Sequence, residues 1–306
     1  MNKSTFRRLR AALRRGVREA RLAWQPDSYV DGPFEALSAE MLDASRTIRG
    51  TDCAPAILVH GVMPRSGTVY FGRLLAAHPD VESYPNLIWE MPLLHCAKQI
   101  GDLQSDFIAK YPQNEERFAQ HDFACLIGSA FIGYLHAQMT PGKRLLMKVP
   151  LATHLAQFAL MFPHEKCLML LRDGRDLVAS TMKSWPGRDF ERVVADWRDA
   201  AHHMLSLDYP LYRYEDLVAD PSGVLKSVFS ATGLDPDTYR FDEIADHPLR
   251  GSSDYVDSHG WDHVDKPKEF RSVERWKSWS PRQKERFKRI AGDVLVEAGY
   301  VADHGW

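Results

Sequence analysis

The chain has 306 residues, 44% apolar, 26% charged and 11% aromatic, which is enough to bury a large core as a single α/β domain. Its 39 basic and 41 acidic side chains leave a net charge of −2, so no overall basic field draws it to nucleic acid. No stretch approaches the ~18 uninterrupted apolar residues of a membrane-spanning helix. Four scattered cysteines without a CxxC pair suggest reduced thiols and a cytoplasmic protein.

In chain order, the first feature is a basic amphipathic helix. Phe6, Leu9, Leu13, Val17, Ala20 and Trp24 recur at three- and four-residue steps, while residues 1–24 hold eight basic side chains against Glu19 alone. Such a helix suits an anionic membrane, an acidic partner, or the protein's own remainder, which carries −9. Its Arg-rich, acid-poor start also resembles an organelle transit peptide. A Pro/Gly/Asp-bearing stretch and a helix near 34–46 follow, so residues 1–50 read as an N-terminal helix with its connection and 51–306 as the main domain.

Ile57–Val62 reads as a buried strand, followed by a polar turn and a helix to about Ala77. His78-Pro79-Asp80 closes that helix, because proline disfavours helical geometry in the residue before it. Val81–Tyr84 is extended, and residues 91–140 are mostly helical, with amphipathic pieces over Phe118–Met139. Arg144–Val149 is a strand, Leu151–Met161 a helix and Glu165–Leu171 a strand. Helices at Arg175–Lys183 and Phe190–Leu207 precede a strand at Leu211–Tyr214. A helix at Pro221–Thr232 ends at Gly233, and loops fill Asp235–Arg271. A last helix, Pro281–Ala298, begins with Ser280 as its cap and stops at Gly299. Short apolar strands alternating with helices predict a parallel sheet covered on both faces.

Two strand–turn–helix junctions carry the chemistry. In His60-Gly61-Val62-Met63-Pro64-Arg65-Ser66-Gly67-Thr68, free N–H groups at a helix start, glycines and hydroxyls suit an anion. It is not a Walker A loop, since Gly67 stands where the lysine before the final hydroxyl belongs. In Leu171-Arg172-Asp173-Gly174-Arg175-Asp176-Leu177-Val178-Ala179-Ser180, Arg172 ends a strand and Ser180 lies two turns into the helix, so both can reach one anion. Two such cradles on one sheet suit a nucleotide phosphorylated at both ends. The bland readings are a plain strand–helix turn and an arginine–aspartate cluster capping a helix.

These residues resemble the sulfotransferases that use 3′-phosphoadenosine 5′-phosphosulfate (PAPS). The PRSGT loop resembles their 5′-phosphosulfate loop, and LRDGRDLVAS their 3′-phosphate element with an arginine and a serine eight residues on. MKVP at Met147–Pro150, RYEDLVADP at Arg213–Pro221, RGSS at Arg250–Ser253 and the stretch from Trp276 to Tyr300 match further segments in order, so the resemblance covers about residues 55–300. It implies a three-layer, P-loop-like fold with a central parallel sheet. The implied activity is transfer of the sulfuryl group from PAPS to a hydroxyl, with no metal. Arg65, Ser66, Gly67 and Thr68 would hold the 5′ end, and Arg172, Ser180, Arg250, Gly251 and Ser252 the 3′-phosphate. Tyr214 would touch adenine.

Departures from the family pattern narrow the mechanism. Val69 replaces a second threonine and Val149 the threonine after the lysine. Pro150 stands where the cytosolic small-molecule enzymes carry a catalytic histidine, which points to the branches that use glutamate. Arg65 and Lys148 are the expected charge stabilisers and Glu90 the expected base, with Glu82 as competitor. His95 and His154 are expected to be structural. Aromatic residues in 91–143 and 235–270 would shape the acceptor side. A carbohydrate, lipid-linked or other small hydroxylated acceptor fits, the basic helix suiting a membrane-associated one. The rivals are a P-loop kinase and a nucleotide-binding or scaffold protein without activity. The missing Walker lysine and a second anion site that ATP cannot use stand against the kinase.

Overall fold

The structure is a computed structural model that describes residues 34–83, 90, 92–247 and 271–306. The basic helix expected over residues 1–24 lies outside them, as do Arg250, Gly251 and Ser252. Five strands form one sheet: β1 (Ile57–Gly61), β2 (Val81–Ser83), β3 (Arg144–Val149), β4 (Lys166–Leu171) and β5 (Leu211–Arg213). All pair in parallel, in the order β2-β3-β1-β4-β5. Nearly every residue of β1, β3 and β4 is buried, as expected of near-continuous apolar strands covered on both faces.

The ten α-helices among the described residues are α1 (Ala39–Arg49), α2 (Thr68–Ala76), α3 (Ala97–Lys110), α4 (Asp122–His136), α5 (Phe158–Met161), α6 (Gly174–Ser184), α7 (Phe190–Leu205), α8 (Tyr214–Ala219), α9 (Pro221–Thr232) and α10 (Pro281–Glu297). Alternating side chains of the strands feed two separate cores. Leu58, Met147, Met169 and Leu171 pack with Ile132, Trp197 and Phe287 from α4, α7 and α10. Ile57, Val59, Leu146 and Leu170 pack with Phe71, Leu74 and Phe229 from α2 and α9. The result is the three-layer α/β fold that the strand–helix alternation predicts. No helix among the described residues is long and apolar enough to cross a membrane.

Local chemistry sets the helix ends. Asp220 caps α9 through Gly223 N at 2.9 Å, and Gly233 leaves the helix at φ 74°. Ser280 and Gln283 form a reciprocal capping box at the start of α10. Ser38 accepts from Met41 N at 3.1 Å, which moves α1 to Ala39–Arg49, beyond the expected 34–46. Buried Arg49 then ties α1 to the sheet's amino edge through Glu165 at 2.6 Å.

Three expected elements differ. The helix foreseen over Leu151–Met161 is a single 3-10 turn, Leu155–Gln157, followed by α5, because His154 adopts a left-handed φ of 57° and interrupts propagation. In the amphipathic stretch Phe118–Met139, helix begins only at Asp122. Asp122 accepts from Ala119 N at 2.8 Å, and Gln104 bonds both Ala119 O and Phe123 N, holding residues 118–121 as a turn. The strand over Leu211–Tyr214 stops at Arg213, and Tyr214 opens α8.

Candidate active site

Both junctions read from the sequence lie at the carboxyl edge of the sheet, one after β1 and one after the adjacent β4. The first is held in shape from within. Ser66 Oγ accepts from Met63 N at 3.0 Å and itself donates to Met63 O. Gly67 lies at φ 97°, and no side chain caps α2, so the first N–H groups of the helix face out of its start. A Cβ on Gly67 would come within 2.3 Å of the Tyr214 ring, so the loop runs flat against that aromatic face. Arg65 is itself left-handed, at φ 83°, a strained geometry for a side chain of this size that is characteristic of functional loops.

The second junction meets the first directly. Arg172, 5% exposed, donates to the carbonyl of Arg65 at 2.5 Å and to the carbonyl of Ser272, and its guanidinium lies 4.5 Å from the Tyr214 ring centroid. Arg65 Nε donates to Ser180 Oγ at 3.2 Å. Among the described residues the buried Nε of Arg172 has no hydrogen-bond partner. Burial and the nearby positive charges of Arg172 and Arg275 bring Arg65 down to about 10, still a cation at neutral pH. A buried group of guanidiniums with an unpartnered N–H is a site built for an anion.

The acids near this cluster take their hydrogen bonds from other groups, although Asp176 and Glu215 still feel the charge of Arg172. Asp173 is bonded to Arg175 at 2.6 Å. Asp176, raised by burial and then by Asp173, accepts from Glu274 N at 2.6 Å and Trp276 N at 3.2 Å. Glu215, which burial pushes up to about 7, accepts from Asp173 N at 3.1 Å and from the Tyr300 hydroxyl at 3.0 Å.

Lys148 projects from β3, level with Val59 of the neighbouring β1, and pairs with Glu90. The lysine is nearly buried and the carboxylate 35% exposed. Glu82 lies elsewhere. It sits on β2 opposite Leu145 and accepts from Thr140 N at 3.2 Å, about 10 Å down the sheet at ~3.3 Å per residue. His95 and His60 are buried with orphan ring nitrogens, and burial lowers them to about 3 and about 4. Among the described residues no group of three potential ligands could hold a metal.

The structure therefore brings Arg65, Ser66, Gly67, Thr68, Arg172, Ser180 and Tyr214 into one cluster, with Lys148 on the neighbouring strand β3 and Glu90 paired to it. Sequence reading missed the contribution of residues 271–275. Ser272 O binds Arg172, and Arg275 lies close enough to lower Arg65. The signal was available in Arg275-Trp276 followed by Trp279, a run of cations and indoles that readily stack. Nothing local, however, says that this run reaches back a hundred residues to Asp176.

The family model for the sulfotransferase family matches residues 55–238, which contain both junctions, Lys148 and Tyr214. The chain belongs to the sulfotransferase family. Its fold is that of the sulfotransferase domain of the Synechococcus PCC 7002 olefin synthase, at 20% identity over 80% of this chain and 95% of that one, with a TM-score of 0.50. Similar too are a sulfotransferase from Alicyclobacillus acidocaldarius (14% identity, 82% and 97% covered, TM-score 0.44) and mouse sulfotransferase SULT7A1 solved with PAP (14%, 86% and 94%, TM-score 0.47). No curated protein sequence matches it.

Proposed function

We propose that this sulfotransferase takes its sulfuryl group from PAPS and passes it to a hydroxyl of a carbohydrate, lipid-linked or other small acceptor, releasing 3′-phosphoadenosine 5′-phosphate (PAP). The observation that carries the reading is the joining of the two cradles. Arg172 reaches the Arg65 carbonyl and Arg65 reaches Ser180, and among the described residues the buried Nε of Arg172 has no hydrogen-bond partner. That arrangement suits one ligand with an anionic group at each end. ATP has only one such end.

In this reading the α2 N-terminus, Ser66, Gly67 and Thr68 hold the 5′ end. Arg172, Ser180 and Arg275 hold the 3′-phosphate, and Tyr214 packs beside the adenosine. The acceptor oxygen attacks sulfur in line as the bond from sulfur to the 5′-phosphate oxygen breaks. Arg65 and Lys148 offset the charge that grows on the leaving oxygen and the sulfuryl group. The acceptor's proton passes to the Glu90 carboxylate, which is partly exposed and faces Lys148. Protein chemistry here is mostly positioning and charge stabilisation, as in phosphoryl transfer.

Calorimetric titration of the purified protein with PAP, ATP and 5′-AMP tests the donor. Selective binding of PAP is the expected result; preference for ATP, or no binding, overturns the reading. The absence of the Walker lysine at Gly67 favours the first outcome. An inactive binding protein would bind PAP yet release none from PAPS with any hydroxylated acceptor.

A further inference from the structure

The turn that carries Arg172 contains a second buried arginine that joins no part of the anion cradle. Arg175 is 5% exposed. Its Nε donates to Asp173 Oδ1 at 3.0 Å and Oδ2 at 3.1 Å, and a terminal nitrogen reaches Oδ2 at 2.6 Å. Its guanidinium carbon lies 4.0 Å from the Trp276 ring centroid and 4.5 Å from that of Trp306. The two indoles themselves meet edge to face, 5.3 Å apart at 81°. One cation thus joins three distant pieces of chain: the turn after β4, the segment bearing Arg275, and residues 301–306.

Each connection bears on the cradle. Asp173 directly follows Arg172 and caps α6 by accepting from Arg175 N at 2.8 Å, so the fork fixes the turn from which Arg172 projects. Trp276 directly follows Arg275, and its N–H is bound by Asp176 at 3.2 Å, so the stack fixes the late segment at the same place. A guanidinium suits this post because it can fork to a carboxylate while it packs in the corner formed by two perpendicular indoles. A lysine ammonium can do only part of this.

We propose that Arg175 is a positioning residue for the 3′-phosphate subsite: forked to Asp173 and packed in the corner formed by the Trp276 and Trp306 rings, it holds Arg172 and Arg275 around one anion. Arg175 touches no ligand atom itself. The proposal rests on the PAPS reading above and adds to it the residue that sets nucleotide discrimination.

The test is calorimetric titration of the full chain and of Arg175→Lys and Trp306→Leu. PAP is one probe, and 5′-AMP, which lacks the 3′-phosphate, is the other. Both variants should weaken PAP binding roughly tenfold, a typical coupling for groups in contact, and leave 5′-AMP within about twofold. Added to Arg172→Ala, either variant should cost less for PAP than it does alone, because one of the two residues it positions is already gone. Equal losses for both nucleotides would mark a merely structural role and overturn the proposal, as would unchanged PAP affinity. If Arg175→Lys fails to fold, Trp306→Leu carries the same comparison. Wild-type protein that does not prefer PAP to 5′-AMP refutes the PAPS reading itself, a result distinct from a variant that keeps the preference.

Discussion

The carbonyl oxygen of Arg65 accepts a hydrogen bond from the Arg172 guanidinium at 2.5 Å, across 107 residues of sequence. The left-handed backbone of Arg65 sets that carbonyl in place, while its own Nε reaches Ser180 at 3.2 Å. The two strand–helix junctions therefore share donors and acceptors, and damage to one reaches the other.

Arg172→Ala should accordingly lose more than one phosphate contact. It removes charged hydrogen bonds worth about 1.5–3 kcal/mol each, the stack on Tyr214, and a brace on the Arg65 loop. PAP affinity should fall by about a hundredfold, at ~1.4 kcal/mol per tenfold. Arg172→Lys should recover only part, because an ammonium cannot reach the Arg65 and Ser272 carbonyls together. Calorimetry on the two variants checks both statements, and equal affinities for wild type and Arg172→Ala would refute the first.

Gly67→Ala should be disabling for two separable reasons. Its φ of 97° suits only glycine, and the new methyl would lie 2.3 Å from the Tyr214 ring. The backbone strain alone costs about 1–2 kcal/mol, and the overlap forces Tyr214 off the loop. Thermal unfolding should fall by several degrees and PAP binding should be lost. In Gly67→Ala with Tyr214→Ala the overlap disappears, so stability should partly return while binding does not.

Much of this site was legible because its parts are local. A strand end, a glycine, a helix start and a serine eight residues beyond an arginine are sequence-adjacent, and periodicity places them on one sheet edge. The ordered series of motifs then carried the family resemblance. What escaped was of two kinds. Contacts such as Asp176 to Trp276 or Arg175 to Trp306 depend on tertiary packing across a hundred residues and leave no periodic trace. The missing helix after Pro150 was a local misreading: Leu151–Met161 has apolar helical spacing, but His154 sits at φ 57° beneath the carboxyl edge, and a backbone conformation of that kind is invisible to hydrophobic patterning. Glu90 ranks ahead of Glu82 from its place after the second strand, but that it pairs with Lys148 while Glu82 bonds Thr140 N is a matter of tertiary packing.

The pairing of Glu90 with Lys148 gives a sharp kinetic expectation. Glu90→Gln keeps the shape but cannot take a proton, so kcat should fall about 10²–10⁴-fold, the usual worth of a general base. KM for PAPS should change little. Lys148→Ala should lower kcat as well, because a cation beside the transferring group is removed. Glu82→Gln should behave as wild type, since its carboxylate bonds Thr140 N on the far side of β3. Steady-state kinetics on the three variants checks the order, and wild-type turnover in Glu90→Gln would remove it from the mechanism.

Acid should destabilise the protein through two buried histidines, against an opposing contribution from Glu215, which burial pushes up to about 7 so that the folded chain takes up its proton first. Burial lowers His60 to about 4, against the smaller opposing effect of its bond to Leu151 O. Burial, and then repulsion from His60 and His154, lowers His95 to about 3. Both are neutral in the folded protein at neutral pH and ordinary imidazoles, near 6.5, once unfolded. Between the unfolded and folded values the unfolded chain binds the extra protons, so the stability these two histidines contribute is intact above about pH 6.5 and falls as pH drops toward 4, by ~1.4 kcal/mol per unit for each group. Among the described residues neither nitrogen of His95 has a hydrogen-bond partner, so His95→Leu forfeits no described bond and removes one titrating group. Urea unfolding at about pH 7 and about pH 5 should show the variant losing roughly half as much stability as wild type from this source. Identical pH dependence in the two proteins would mean that His95 is not held neutral in the fold.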